Sequence, residues 1–147
     1  MQRTLVLCKP DCVQRRLIGR IISRIEDKGL KIVGMKMLQV EEGLANRHYQ
    51  EHTEKPFFRD LVNFITSSPI VVLAVEGINA VEVIRRIIGA TNPQQAAPGT
   101  IRGDFGLGLT MNLVHGSDSV QSAGRELGLF FSAGELFDFD LALESWV

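Results

Sequence analysis

The longest unbroken apolar run in the chain, Ile70 to Val75, is six residues long, which suits one buried strand and falls far short of the ~20 residues needed to cross a bilayer. The opening MQRTLVLCKPD likewise lacks the apolar length of a signal peptide, so a cytoplasmic protein without a membrane segment is expected. With 147 residues, 45% of them hydrophobic and 22% charged, the chain is sized for a single domain over residues 1–147 that buries a real core. Its formal net charge of −1 gives no general field for nucleic acid or anionic membranes, and any anion site must be local. Cys8 and Cys12 are the only thiols. Their spacing is neither CxxC nor half of a four-ligand metal set, and free thiols in a reducing compartment are expected.

Around that run the pattern alternates between strands and helices. Thr4 to Cys8 reads as a buried strand that stops before Pro10. A helix capped by Asp11, with Gln14 three residues on, follows; Val13, Leu17, Ile18, Ile21, Ile22 and Ile25 form its apolar stripe, and Gly29 ends it. Lys31 to Val40 alternates like a half-exposed strand, with Val33, Met35 and Met37 on one face. Helices are expected over Glu42 to Glu51 and Phe58 to Thr66, then the strand Ile70 to Glu76. A further helix is capped by Asn79 with Glu82 and ends at Gly89. From Ala90 to Leu109 regularity lapses, with two prolines and four glycines, a length that favours a functional or oligomer-contact loop. Met111 to His115 resumes as strand and Ser119 to Leu129 as helix. The order predicts an α/β (α+β) fold: a ferredoxin-like split βαβ with a four-stranded antiparallel sheet, an added helical pair and a long loop before the last strand.

Several motifs compete for the chemistry. No Gly-Lys pair occurs, which removes the P-loop. Asp104-Phe105-Gly106 spells a protein-kinase triplet without the catalytic loop, the lysine strand or the two-lobed length that give it meaning. His48, Glu51 and His52 form HYQEH, an inverted zinc-protease pattern that still needs a third ligand and a peptide-sized cleft; the plainer reading is a solvated helix face. His115, Ser117 and Asp118 contain the residue types of a hydrolase triad, but sequence neighbours do not converge in that geometry. Phosphate chemistry without a P-loop needs fixed cations at element ends, and Lys9, Arg85 and Arg102 have such positions. On a helical wheel Arg85 lies nearer the apolar stripe than Arg86, which predicts a partly buried Arg85 and a solvated Arg86. Phe57 and Phe58 follow Pro56 at a helix start, where one ring can enter the core and the other stay exposed for stacking; the pattern alone fits core packing of both rings equally well.

Five separated blocks then agree with one family. NLVHGSDS (Asn112 to Ser119), KPD after the first strand, HY before PFF, GATNP and PGTIRGDF resemble the nucleoside diphosphate kinases in order and spacing, over essentially the full chain. The resemblance implies a phosphotransferase that moves the γ-phosphate of a nucleoside triphosphate, mainly ATP, to a nucleoside diphosphate in a reversible ping-pong relay, maintaining nucleotide pools. It implies that His115 is the nucleophile, phosphorylated at its pros nitrogen, with Glu126 and Ser117 positioning it and Lys9 assisting. It further implies that Lys9, Tyr49, Arg85, Thr91, Arg102, Leu109 and Asn112 hold the nucleotide while Phe57 stacks on the base. Mg²⁺ would arrive with the phosphates rather than in a dedicated protein cage, with Asp118 reaching it through water. The partners implied are nucleoside di- and triphosphates and further copies of the chain, as a tetramer or hexamer touching through the Pro93 loop; neither nucleic acid nor membrane is needed. A non-catalytic nucleotide-binding regulator of the same fold is the alternative.

Two positions carry conditions. Strict strand alternation puts Asn112 and His115 on opposite faces, so both reach one site only if the strand ends or bulges between them. Cys12 stands where the family has glycine after KPD, which would cost strain if that position needs a positive φ.

Overall fold

The computed structural model describes residues 1–147. Strand β1 (Gln2–Cys8) leads into the short helix α1 (Pro10–Gln14) and helix α2 (Ile18–Asp27), and β2 is Lys31–Leu38. Helices α3 (Glu42–His48) and α4 (Phe58–Ile65) follow, joined through a 3₁₀ turn at Gln50–His52. Then come β3 (Ile70–Gly77), α5 (Ala80–Ile88), α6 (Ile101–Phe105), β4 (Val114–Gly116) and α7 (Val120–Phe130). The strands form one sheet in the order β2-β3-β1-β4, with every neighbouring pair antiparallel. This is the four-stranded sheet and added helical pair expected of the pattern.

The unbroken apolar runs have a simple cause, since helices cover both faces of the two central strands. Val6, Cys8, Val71, Leu73 and Val75 face a core completed by Ile21, Ile25, Ile84 and Ile88 from α2 and α5. Leu5, Leu7, Val72 and Ala74 face the opposite core with Ala45, Val62, Ile65 and Phe130 from α3, α4 and α7. Removal of such side chains from water is worth roughly 25 cal/mol per Å² and holds the three layers together.

Departures from the expected elements fall at helix starts and within β2 as well as beside the first and last strands. The single helix expected to start at Asp11 is two helices, because Arg16 takes a left-handed φ of 59° and ends the first of them. Asp11 does not cap it; Lys9 holds the N-cap position and Asp11 Oδ2 accepts the backbone N–H of Leu113 at 2.9 Å. Cys12 lies in α1 without a positive φ, so no strain attends the missing glycine. Both thiols are free and buried. Asn79 likewise makes no side-chain cap and sits left-handed at φ 51°. In β2 a bulge at Val33 breaks the alternation, turning Val33 inward while Met35 and Met37 remain about 60% exposed. The irregular loop contains α6, capped by the Thr100 hydroxyl, which accepts from Gly103 N–H at 3.0 Å.

The last strand starts later than Met111, and the reason is Leu113. Its φ of 74° and the Val114 N–H to Asn112 carbonyl bond of 2.9 Å define a tight three-residue turn of the strained γ type. Neighbours lock the turn from both sides: Lys9 N–H donates to the Leu113 carbonyl at 2.9 Å, and the Asp11 carboxylate takes the Leu113 N–H. Buried hydrogen bonds to a charged group are worth about 1.5–3 kcal/mol, enough to offset the strain. Asp11→Ala is expected to lower unfolding stability in urea by about 2 kcal/mol, with Asp11→Asn losing less because an amide oxygen can still accept; equal losses would remove the lock from the account.

Candidate active site

A cleft of about 600 Å³ opens where the C-terminal end of β1 meets β4, α5, α6 and the α3–α4 connection. Lys9, Tyr49, Phe57, Arg85, Thr91, Arg102, Leu109, Asn112, His115, Asp118 and Glu126 all line it. Ser117 does not; it is fully buried behind the cleft wall.

The γ-turn at Leu113 answers the alternation condition, for Asn112 precedes the strand and both it and His115 face the cleft. Asn112 is gripped at both ends of its amide: Lys9 Nζ donates to Oδ1 at 2.7 Å, and Nδ2 donates to the Thr91 carbonyl at 3.0 Å. His115 Nε2 hydrogen-bonds Glu126 Oε1. The Ser117 hydroxyl donates to the same oxygen at 3.3 Å and lies 3.4 Å from the Leu5 N–H, from which it accepts. Glu126 shares the buried face of α7 with Ala123 and Phe130 at helical spacing. Ser119 caps that helix through the Ser122 N–H at 3.0 Å, prevailing over Ser117 and Asp118. A carboxylate on one ring nitrogen fixes the tautomer and leaves Nδ1 with its lone pair free.

Cations surround the histidine. Arg102 from α6 straps three carbonyls together, donating to Val114 at 2.7 Å, Asn112 at 3.2 Å and Gly89 at 3.3 Å. Its helix is in turn clamped by an Arg24–Asp104 ion pair at 2.6 Å, which is the use this fold makes of the Asp104-Phe105-Gly106 triplet. Burial, with Arg85 nearby, lowers the Arg102 guanidinium to about 10. Burial and then Arg102 lower the Lys9 ammonium to about 8, against a smaller opposing pull from Asp11. Arg85 is exposed at the cleft rather than partly buried as expected, while Arg86 does point to solvent, paired with Glu82. Thr91 follows α5, and Leu109 stands 61% exposed at the mouth. Phe57 is 45% exposed, and Phe58 packs against the second core, which decides between the two arrangements in favour of one exposed ring. Burial raises the Tyr49 phenol to about 12, keeping it a neutral donor.

The sequence model of the family described as Nucleoside diphosphate kinase matches residues 2–136. The chain belongs to this family. A nucleoside diphosphate kinase of Archaeoglobus fulgidus is 58% identical over 147 residues, covering 100% of this chain and 97% of the relative. One from Rhodopirellula baltica is 59% identical over 143 residues, 97% of this chain and 94% of the relative. Among solved structures, a halophilic nucleoside diphosphate kinase from Halobacterium salinarum in complex with CDP superimposes with a TM-score of 0.97 at 51% identity, covering 99% of this chain and 97% of that one. A Babesia bovis family protein gives the same TM-score of 0.97 at 42% identity, with 99% of both chains covered. The activity is therefore that of a nucleoside diphosphate kinase, a phosphotransferase acting on nucleotides.

Membership does not explain every residue at the cleft. His48 is buried rather than on a solvated helix face, its ring packed edge-on against His115 with centroids 4.9 Å apart. Burial, followed by the charges of His115 and Arg125, depresses it well below the ordinary histidine range. Arg125 also lines the cleft and caps α3 through the Arg47 carbonyl at 3.1 Å. The signal available in sequence was Ala45 and His48 at helical spacing, which marks His48 as inward-facing. Glu126→Gln is expected to leave the melting temperature nearly unchanged and to slow phosphoryl transfer by about 10²-fold or more, because the amide no longer enforces one tautomer; an unaltered rate would detach Glu126 from the reaction.

Proposed function

We propose that this single-domain kinase works by a ping-pong relay in which His115 Nδ1 carries the phosphoryl group. The observation that carries the reading is His115 anchored through Nε2 to Glu126 at the floor of a cation-lined cleft. The Nδ1 lone pair attacks the γ-phosphorus, the bond from that phosphorus to the β–γ bridging oxygen breaks, and the diphosphate leaves with the electron pair. In the second half an incoming diphosphate attacks the phosphohistidine, and the electrons return to Nδ1. Lys9, Arg85 and Arg102 spread positive charge over the transferring group while Thr91, Asn112 and Tyr49 offer neutral donors. Ser117 and Glu126 keep the ring in place. Phe57 and Leu109 flank the base, with few groups placed to read its edge, so purines and pyrimidines are both accepted.

Magnesium fits this site as a passenger of the nucleotide. Hydrogen bonding from Ser122 holds the Asp118 carboxyl below the ordinary aspartate range, leaving an ionised acceptor at the cleft for a metal-bound water. When bound, the ion would neutralise phosphate charge. Exposed Met35 and Met37 on β2, together with Leu107 in the loop after Pro93, suit contacts between copies in a homo-oligomer, a tetramer or hexamer. The protein is cytoplasmic on this reading and maintains nucleoside triphosphate pools.

Incubation with γ-labelled ATP is expected to give an acid-labile, alkali-stable phosphoprotein that any nucleoside diphosphate discharges. Label that persists in His115→Asn would overturn the assignment. A second test uses pH. Because the Lys9 ammonium is lowered to about 8, its charge is present below that pH and lost above it. KM for the diphosphate is expected to rise several-fold between about pH 7 and about pH 9, and a flat profile in that window would show that Lys9 charge does not serve binding.

A further inference from the structure

We propose that His48, His115 and Glu126 form a site for a borderline divalent transition-metal ion, with Zn²⁺ the representative case, that silences the kinase. The three side chains come from α3, β4 and α7, and one potential ligand atom from each lies within 4.8 Å of the others. His48 supplies the independent observation: it is 6% exposed, and neither its Nδ1 nor its Nε2 has a hydrogen-bond partner. Buried polar atoms are rarely left so, because each loses its hydration without a replacement bond. An imidazole buried without a partner offers its lone pair to whatever enters.

Two imidazoles and one carboxylate make a His₂Glu donor set, which suits tetrahedral zinc with its fourth position open. All three residues line the cleft, from which a fourth ligand could come. Magnesium is poorly served by the same atoms, since it demands near-octahedral oxygen coordination. This site is therefore distinct from the ion that travels with the nucleotide. Zinc ligands lie ~3.3 Å apart in a tetrahedral shell, and His115 already touches Glu126, so His48 closes most of the remaining gap. Lys9 and Arg125 oppose a dication here. Their charge holds the affinity below that of closed structural sites.

Silencing follows from imidazole chemistry. Glu126 sits on Nε2, so a metal shared with it takes that nitrogen; a neutral ring has one in-plane lone pair, the ring proton moves to Nδ1, and the attacking lone pair is lost. The HYQEH motif thus holds a metal ligand, but its partner is not His52, which falls on the 3₁₀ turn beyond the end of α3.

Binding rests on the geometry alone, whereas inhibition rests on His115 being the nucleophile, and one experiment separates them. The full-length protein is titrated with Zn²⁺ by calorimetry and with Co²⁺ by absorption, then phosphorylated with γ-labelled ATP in excess Mg²⁺. Expected are one ion per chain, tetrahedral Co²⁺ bands without thiolate charge transfer, at least tenfold weaker binding in His48→Gln, and binding within twofold of the parent in His52→Gln. Labelling is expected to fall with zinc occupancy and to recover on chelation. Unchanged affinity in His48→Gln, equal loss in His52→Gln, or thiolate bands from Cys8 or Cys12 would overturn the site. Zinc bound through His48 without loss of labelling would overturn the inhibition and count against the nucleophile assignment, leaving the site intact.

Discussion

The cleft depends on one strained backbone, that of Leu113. Its left-handed φ would be disfavoured in a free chain, yet the N–H and carbonyl of this residue are both held by the β1–α1 junction, through Asp11 and Lys9. The same junction thereby sets three things together: where β4 begins, which way Asn112 projects, and how Lys9 Nζ reaches the Asn112 amide. A straight strand would have sent Asn112 and His115 to opposite faces. Burying the Leu113 side chain in the core beneath α2 and α5 makes the turn part of the hydrophobic packing rather than a loose loop.

Around this frame the protein gathers positive charge that it does not neutralise. Lys9 and Arg102 are held below their ordinary values, and each feels the next cation in line as well as its own burial. For Lys9 the displacement from 10.5 to about 8 corresponds to about 3 kcal/mol stored against folding while the ammonium stays charged. An unsatisfied cationic cleft of this kind is preorganised for polyanions: much of the desolvation of Lys9 and Arg102 is borne before the ligand arrives, and phosphate oxygens supply the missing counter-charge. The protein thus gives up stability where it needs affinity.

Much of this was legible in sequence because each signal was local or periodic. The strand at Ile70 and the inward stripe of α5 both follow from burial patterns. What sequence hid were exchanges between distant segments. Asp11 has the look of a helix cap, and nothing in its neighbourhood reveals that its carboxylate serves a backbone amide 102 positions away. Val33 alternates correctly with Met35 and Met37 until a bulge, set by pairing with β3, reverses it. Arg85 followed the helical wheel, but the wheel cannot register that a cleft rather than a core lies over that side. Glu126 and Ser117 were reached through family resemblance; an acid on an apolar stripe is a local oddity, and only the fold shows it meeting His115.

Ring contacts run in series from His115 to Phe57. His115 meets His48 at 4.9 Å between centroids, His48 meets Tyr49 at 4.6 Å, Tyr49 meets His52 at 6.4 Å, and His52 meets Phe57 at 5.7 Å. On the proposed mechanism, with a base on Phe57 and the phosphoryl group passing to His115, this ladder would fix the span between base and reacting phosphorus. A triphosphate would then bring its last phosphorus to Nδ1 and a diphosphate its terminal oxygen to the phosphorylated ring, while a monophosphate stacked in the same place would stop one unit short, a selection by length that needs no residue to recognise the missing phosphate.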